Sequence, residues 1–274
     1  MRYIAFLVLI IFIFQGCKEE DSAPSNVHEG NLKLTTQEEI DAMASSPITI
    51  INGHLTIGNL LRSNDDITNL KGLSNIIQVN NDLEIFSNDA LTSLEGLENI
   101  EIVPSDLSIV SNSNLTNLDG LNNLKVIEGG AFIWDNDNLE SLAALANLEE
   151  IGRDLYLTEN HKLQDLKGLE KITILNRIVD IGDNASLASL EGLQNVVSID
   201  TVMNIFQNPM MSNLDGLRGL KSVGHYIAIW ENDQLADYCG IQEVFNNGYS
   251  GKYSVHDNTY NPTQTELKEG NCSQ

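Results

Sequence analysis

The sequence predicts a mainly β solenoid of about eight leucine-rich coils of 24 residues, with a short N-terminal capping helix and a C-terminal cap closed by a disulfide. Three observations carry that reading. An asparagine recurs every 24 residues, apolar columns recur at the same period, and the chain is 42% hydrophobic but only 6% aromatic. A core with so few rings is built from Leu, Ile and Val, which suits regularly stacked aliphatic layers. At 274 residues the chain is long enough to bury such a core.

The asparagine column comprises Asn64, Asn88, Asn112, Asn136, Asn160, Asn184, Asn208 and Asn232. A tight turn at the end of a strand deprives backbone groups of ladder partners, and a buried amide satisfies them. The column is therefore expected to be an inward-facing, structural ladder, each hydrogen bond contributing a net ~0.5–1.5 kcal/mol. Leucines follow three and six residues later, as in Leu91 and Leu94, then a Gly-Leu pair such as Gly96-Leu97, replaced once by Ala144-Leu145. Ahead of the asparagine stands a period-two alternation, as in Leu83-Glu84-Ile85 and Leu107-Ser108-Ile109, which reads as a short strand with one buried face. A further column from Val79 and Val103 to Ile199 and Val223 marks another inward corner. No unit this small buries its own apolar side, so stacking must supply the partner.

The phrase Leu-x-Ile-x-x-Asn-x-x-Leu resembles a leucine-rich repeat. The three-cornered unit, with Leu-x-x-Leu-x-Gly-Leu after the asparagine, is similar to the receptor L domain over residues 49–241. That resemblance implies a right-handed solenoid of parallel strands that binds ligands through its surface, and it assigns no individual binding residue.

The ends follow from composition. Arg2, the apolar run Tyr3 to Phe14 and the closing Gln15-Gly16-Cys17 read as a signal peptide over residues 1–16, because a dozen apolar residues are too few to span a bilayer. Gly16-Cys17 resembles a bacterial lipoprotein lipobox, which implies lipidation of Cys17 and a membrane partner through that lipid. Lys18-Glu19-Glu20-Asp21 resembles the surface-export signal of Bacteroidota lipoproteins, implying the outer face of the outer membrane, with the periplasmic leaflet as alternative. Residues 17–35 are expected to be a flexible tether and residues 36–48 an N-terminal cap, with Thr36 and Glu39 as a capping box. Between His54 and Asn64 the first coil carries extra residues, consistent with a bulge. Residues 242–274 form the expected C-terminal cap, where Cys239 and Cys272 make an even pair in an oxidising compartment and are expected to be joined.

Lys and Arg number 15 against 39 Asp and Glu, a net charge of −24. So acidic a surface repels nucleic acid and anionic lipid. Known catalytic and phosphate-binding motifs are absent, the five histidines lack metal-ligand spacing, and no cofactor or metal is expected. Asp135-Asn136-Asp137-Asn138 fails as an EF-hand, because Glu140 and Ala146 stand where Gly and Glu are needed. Exposed turn formers explain Asp89, Asp135, Asp137, Asp183 and Asp233 better than a calcium site between coils.

The sharper candidates lie on the outward strand face. If Leu83 and Ile85 point in, residues 82, 84 and 86 and their equivalents point out. These columns contain Phe86, Phe132, Trp134, Tyr156, Phe206, Tyr226 and Trp230, with Glu84, Asp180, Glu159 and Glu231 nearby. Exposed rings on a rigid face imply recognition of a protein or a glycan. The alternative is that Phe86, Trp134, Phe206 and Trp230 turn inward at a strand end and pack as core. The expected function is accordingly a lipid-anchored binding or adhesion protein rather than an enzyme. An envelope scaffold without a dedicated ligand is the alternative, and a solenoid polysaccharide-degrading enzyme is less favoured because no coil carries a distinct acid-base cluster.

Overall fold

The computed structural model describes residues 25–61 and 65–274. Alternating apolar residues build one wall, a ten-stranded parallel sheet whose strands lie in chain order: β1 (Leu32–Leu34), β2 (Leu55–Gly58), β3 (Leu83–Phe86), β4 (Leu107–Val110), β5 (Ala131–Trp134), β6 (Leu155–Thr158), β7 (Ile178–Gly182), β8 (Val202–Phe206), β9 (Tyr226–Trp230) and β10 (Lys252–His256). From β3 to β9 the register advances by one repeat per strand, as in Ile85↔Ile109 and Ile109↔Ile133. A second wall carries two- and three-residue strands in three parallel sheets, for example Ile102–Val103, Val126–Ile127 and Glu150–Ile151. Tight turns close the third side. One coil thus buries Leu83 and Ile85 from the long strand, Leu91, Leu94 and Leu97 from the turns, and Ile100 and Val103 from the second wall. The column through Ile76, Ile100, Leu124, Leu148, Ile172, Val196 and Leu220 is as buried as the expected ones and belongs to the same core.

The glycine of the Gly-Leu pair has a steric reason. Gly96, Gly120, Gly168 and Gly192 adopt φ between 114° and 121°, and a Cβ there would collide with a leucine carbonyl oxygen of the preceding coil. Where Ala144 stands there, the chain makes a 3-10 turn over Ala143–Leu145, as it does at Gly72, Gly216 and Gly240, and none of these four residues has a positive φ.

The asparagines face inward as expected. Asn88, Asn112, Asn136, Asn160, Asn184, Asn208 and Asn232 have no exposed surface. Asn112 shows the pattern in full: its N–H and Nδ2 both donate to Asn136 Oδ1 (3.1 and 3.2 Å), and Nδ2 also donates to Ile85 O (3.0 Å) and Val110 O (3.1 Å). Its own Oδ1 accepts from Asn88 N and Nδ2. The ladder runs one rung further than expected, since Asn232 donates to Asn258 Oδ1 and Asn261 Oδ1 receives the last N–H. At the other end Asn64 lies outside the described residues. Pairing Gly58↔Phe86 spans 28 residues where the steps from β3 to β9 span 24, and Asn88 Nδ2 donates to Ile57 O of this first coil.

Two further ladders went unread in the sequence. Asp82 and Asp106 each accept a backbone N–H of the next coil, from Asp106 and Gly130. Exposed Asn99, Asn123, Asn147 and Asn195 each donate to a carbonyl of the preceding coil.

Both ends are covered. Helix α1 (Gln37–Met43) starts at a capping box of Thr36 and Glu39 and buries Ile40 and Met43. The tether expected over residues 17–35 does not hold for its second half: Val27–Glu29 and Leu32–Leu34 pair with Ile50–Asn52 and β2, because the first coil otherwise exposes two sheet edges. Cys17 and residues 1–16 lie outside the described residues. At the other end α2 (Gln242–Asn246), β10 and α3 (Gln264–Lys268) close the last coil with rings in place of leucines. Phe245 packs edge-on against Tyr249 and Tyr253, and Tyr238 against Tyr260. The Cys239–Cys272 disulfide fastens this cap, with a Cα separation of 4.9 Å.

Three outcomes test these roles. Asn112→Ala strands the Ile85 carbonyl and the Asn88 amide, and should cost about 2–4 kcal/mol in urea unfolding. Asn123→Ala, which removes a single exposed bond to Glu98, should cost less than about 1 kcal/mol. Reduction of Cys239–Cys272 frees a loop closed at a separation of 33 residues, and should lower stability by about 3–4 kcal/mol in melts with and without reductant.

Candidate functional site: the outward strand face

Inward residues of the ten-stranded sheet are saturated by the core, so any recognition through this wall falls to the outward ones. Parallel pairing sets equivalent residues of neighbouring coils side by side. One outward column reads Thr56, Glu84, Ser108, Phe132, Tyr156, Asp180, Asn204, Ala228. Another reads Gly58, Phe86, Val110, Trp134, Thr158, Gly182, Phe206, Trp230, His256.

All seven aromatic candidates stand outside the core: Phe86, Phe132, Trp134, Tyr156, Phe206, Tyr226 and Trp230 are half-buried, while the residues beside them, such as Ile85, Ile133, Ile205 and Ile229, are buried. Four of them, Phe132, Tyr156, Phe206 and Trp230, are partly covered by one another. Phe206 and Trp230 stack nearly parallel, with centroids 4.6 Å apart and planes 6° apart, and His256 continues the stack at 6.4 Å. Phe132 and Tyr156 form a second stack at 5.3 Å. Val110 lies between Phe86 and Trp134 in register and is only 2% exposed, as a small side chain flanked by two large ones. The Phe206 ring lies over Gly182, where a Cβ would collide with it.

Between the two stacks lies a polar group. Asn204 Nδ2 donates to Asp180 Oδ1 at 2.5 Å, and Asp180 is next to Tyr156 in register. Burial raises the Asp180 carboxyl above the ordinary Asp range; the Asn204 bond opposes the rise and the Asp154 carboxylate adds to it. Burial likewise raises the Tyr156 phenol, helped by Asp180 and Asp154. Asp154 in turn faces Arg177 at 3.6 Å. Half-buried carboxylate, amide and phenol beside flat apolar rings can grip hydroxyl or amide groups of a partner while the rings cover its apolar face. Asp180 was legible as part of an acidic rim. Asn204 was not singled out, although it shares the column of Tyr156.

The edge of the face is acidic. Ser87, Ser111, Asp135, Glu159, Asp183, Gln207, Glu231 and Asp257, each just before a ladder asparagine, all adopt φ between 52° and 57°. This left-handed turn accounts for Asp135 and Asp183 as turn residues. Asp89 is bonded by Ser113, Asp135 accepts from Ser111 Oγ, Asp137 faces His161 at 3.8 Å, and Asp233 is exposed. Burial, Asp135 and Asp183 together raise the Glu159 carboxyl.

The receptor L domain model matches residues 77–171. This stretch is receptor L-domain-like. It runs from the second wall before β3 past β6 and includes Phe86, Phe132, Trp134 and Tyr156. No curated protein matches the chain in sequence.

The Asp180 carboxyl keeps its proton to higher pH in the fold than in the unfolded chain. Its contribution to stability is therefore present below the unfolded value of about 3.9 and is lost as pH rises through the folded value. Asp180→Asn keeps a neutral partner for Asn204. It should melt higher than the parent at neutral pH, with the gain shrinking toward about pH 4 in melts across that range.

Proposed function

We propose that this chain is a lipid-anchored envelope protein that binds a protein or a glycan through its outward strand face and catalyses no reaction. The observation that carries the reading is the Phe206–Trp230 stack beside the half-buried Asp180–Asn204 pair, a rigid aromatic surface with polar groups set into it. The receptor L-domain likeness supports binding over catalysis. The apolar run before Cys17, followed by Lys18-Glu19-Glu20-Asp21, supports export, lipidation of Cys17 and display on the outer membrane, with the periplasmic leaflet as the other placement. No helix among the described residues is long and apolar enough to cross a membrane. In this reading the right-handed solenoid of about eight repeats and its caps hold the face rigid, and the acidic edge discourages anionic partners.

Glycan arrays and pull-downs with the displayed protein test it. Replacing both Phe206 and Trp230 with Ala should weaken the ligand found by about 2 kcal/mol, or ~30-fold, as expected for hot-spot rings. The core does not use these rings, so the melting midpoint should move little. Unchanged binding in a folded double variant rejects this face.

A further inference from the structure

At its N-terminal end the same wall brings together three metal-ligating side chains that are far apart in sequence. His54 immediately precedes β2, Asp82 holds the equivalent place before β3, and Glu84 lies on β3 opposite Thr56. One donor atom from each falls within 4.8 Å of the others, and His54 Nδ1 is 2.7 Å from Asp82 Oδ2. A tetrahedral zinc ion with bonds of ~2.0–2.2 Å holds its ligand atoms roughly 3.3 Å apart, a spacing that small side-chain rotations reach from here. We propose that His54, Asp82 and Glu84 bind a divalent transition-metal ion of the zinc class, with water completing its coordination.

Each ligand is already held from behind, as metal ligands usually are. Asp82 Oδ1 accepts the Asp106 N–H at 3.0 Å, which leaves Oδ2 directed at the imidazole. Glu84 Oε2 accepts the Thr56 hydroxyl at 2.6 Å. The far imidazole nitrogen, Nε2, is 3.3 Å from the Asn81 amide, and turning that amide over offers its oxygen to Nε2–H while Nδ1 takes the metal. His54 and Asp82 side chains are 31% and 19% exposed, open enough for an ion to enter and covered enough to strengthen its attraction. The imidazole selects a transition ion over calcium or magnesium, and the charge of −24 favours any cation. Other pairs lack a third donor: among the described residues the one other triad, Asp237, Cys239 and Cys272, has its thiols in the disulfide.

The location gives the ion a mechanical role. His54 comes from the coil before Asn88, whose Oδ1 is buried without a partner among the described residues. A metal shared by His54, Asp82 and Glu84 would add to the Asn88 Nδ2–Ile57 O bond that joins that coil to the next.

Calorimetric titration of the full chain with zinc chloride, under excess magnesium to occupy weak carboxylate sites, tests the proposal. One saturable site per chain is expected. His54→Ala and the near-isosteric Glu84→Gln should each weaken it at least tenfold, whereas Asp257→Asn, at an unrelated His256–Asp257 contact, should leave it unchanged. Should His54→Ala fail to fold, Glu84→Gln decides, together with the visible absorption of the cobalt-loaded parent, which reports tetrahedral coordination. Absence of one-to-one binding above the magnesium background, or parental affinity in a folded His54→Ala or Glu84→Gln, overturns the site.

Discussion

The fold depends on one repeated bond, the amide ladder. A parallel coil must leave its long strand abruptly, and here it does so through a residue at φ near 55°, a conformation costing roughly 1–3 kcal/mol when the residue is not glycine. That cost recurs eight times, at Ser87 through Asp257. The asparagine that follows each strained residue repays it. Its amide collects the carbonyls that the turn leaves behind, Ile85 and Val110 in the case of Asn112, and its oxygen accepts the N–H of the preceding asparagine in the column. Because each rung lies two residues beyond the end of its strand, an insertion between them would displace the rung from both neighbours. Strict periodicity from β3 to β9 follows from this geometry, and departures appear where the ladder starts and ends, in the 28-residue step before Phe86 and the 26-residue step to Asn258.

The same geometry explains what was legible in the sequence. Features that act at one fixed place in every coil, the asparagines, the leucine columns and the Gly-Leu corner, repeat in the text and declare themselves. The second wall declared itself less clearly, because its strands are two or three residues long and the alternation that marks a strand needs more. Ile100 and its equivalents therefore escaped notice although they are fully buried. The ends were least legible. Leu32–Leu34 and Lys252–His256 join the sheet without matching the repeat, since an edge requires only backbone pairing and a few apolar contacts.

Side-chain clusters across coils were hidden for a different reason. A donor triad drawn from positions 54, 82 and 84 has no local spacing to recognise, and the 28-residue step between coils removes even the repeat as a guide. The Asp82–Asp106 bond illustrates the same limit. It joins side chain to backbone across a coil, and an aspartate in a turn looks alike whether or not it is bonded.

The outward rings obey the geometry that governs the core. Strands about 4.8 Å apart set equivalent side chains at nearly the thickness of an aromatic ring. Adjacent rings in one column must therefore stack, as Phe206 and Trp230 do, and each stacked ring gives up its faces to its neighbours. A run of aromatics along a solenoid consequently offers mostly edges to solvent. An open face arises only where the run stops at a residue too small to cover it. The run of rings stops beside Phe206 at Gly182, over which the Phe206 ring itself lies, and then Thr158, before Trp134 begins the next group. The polar trio of Tyr156, Asp180 and Asn204 occupies the adjoining column at those same coils. The binding face proposed above is therefore centred on the interruption between the two stacks, where aromatic rings and half-buried hydrogen-bonding groups occur on neighbouring strands.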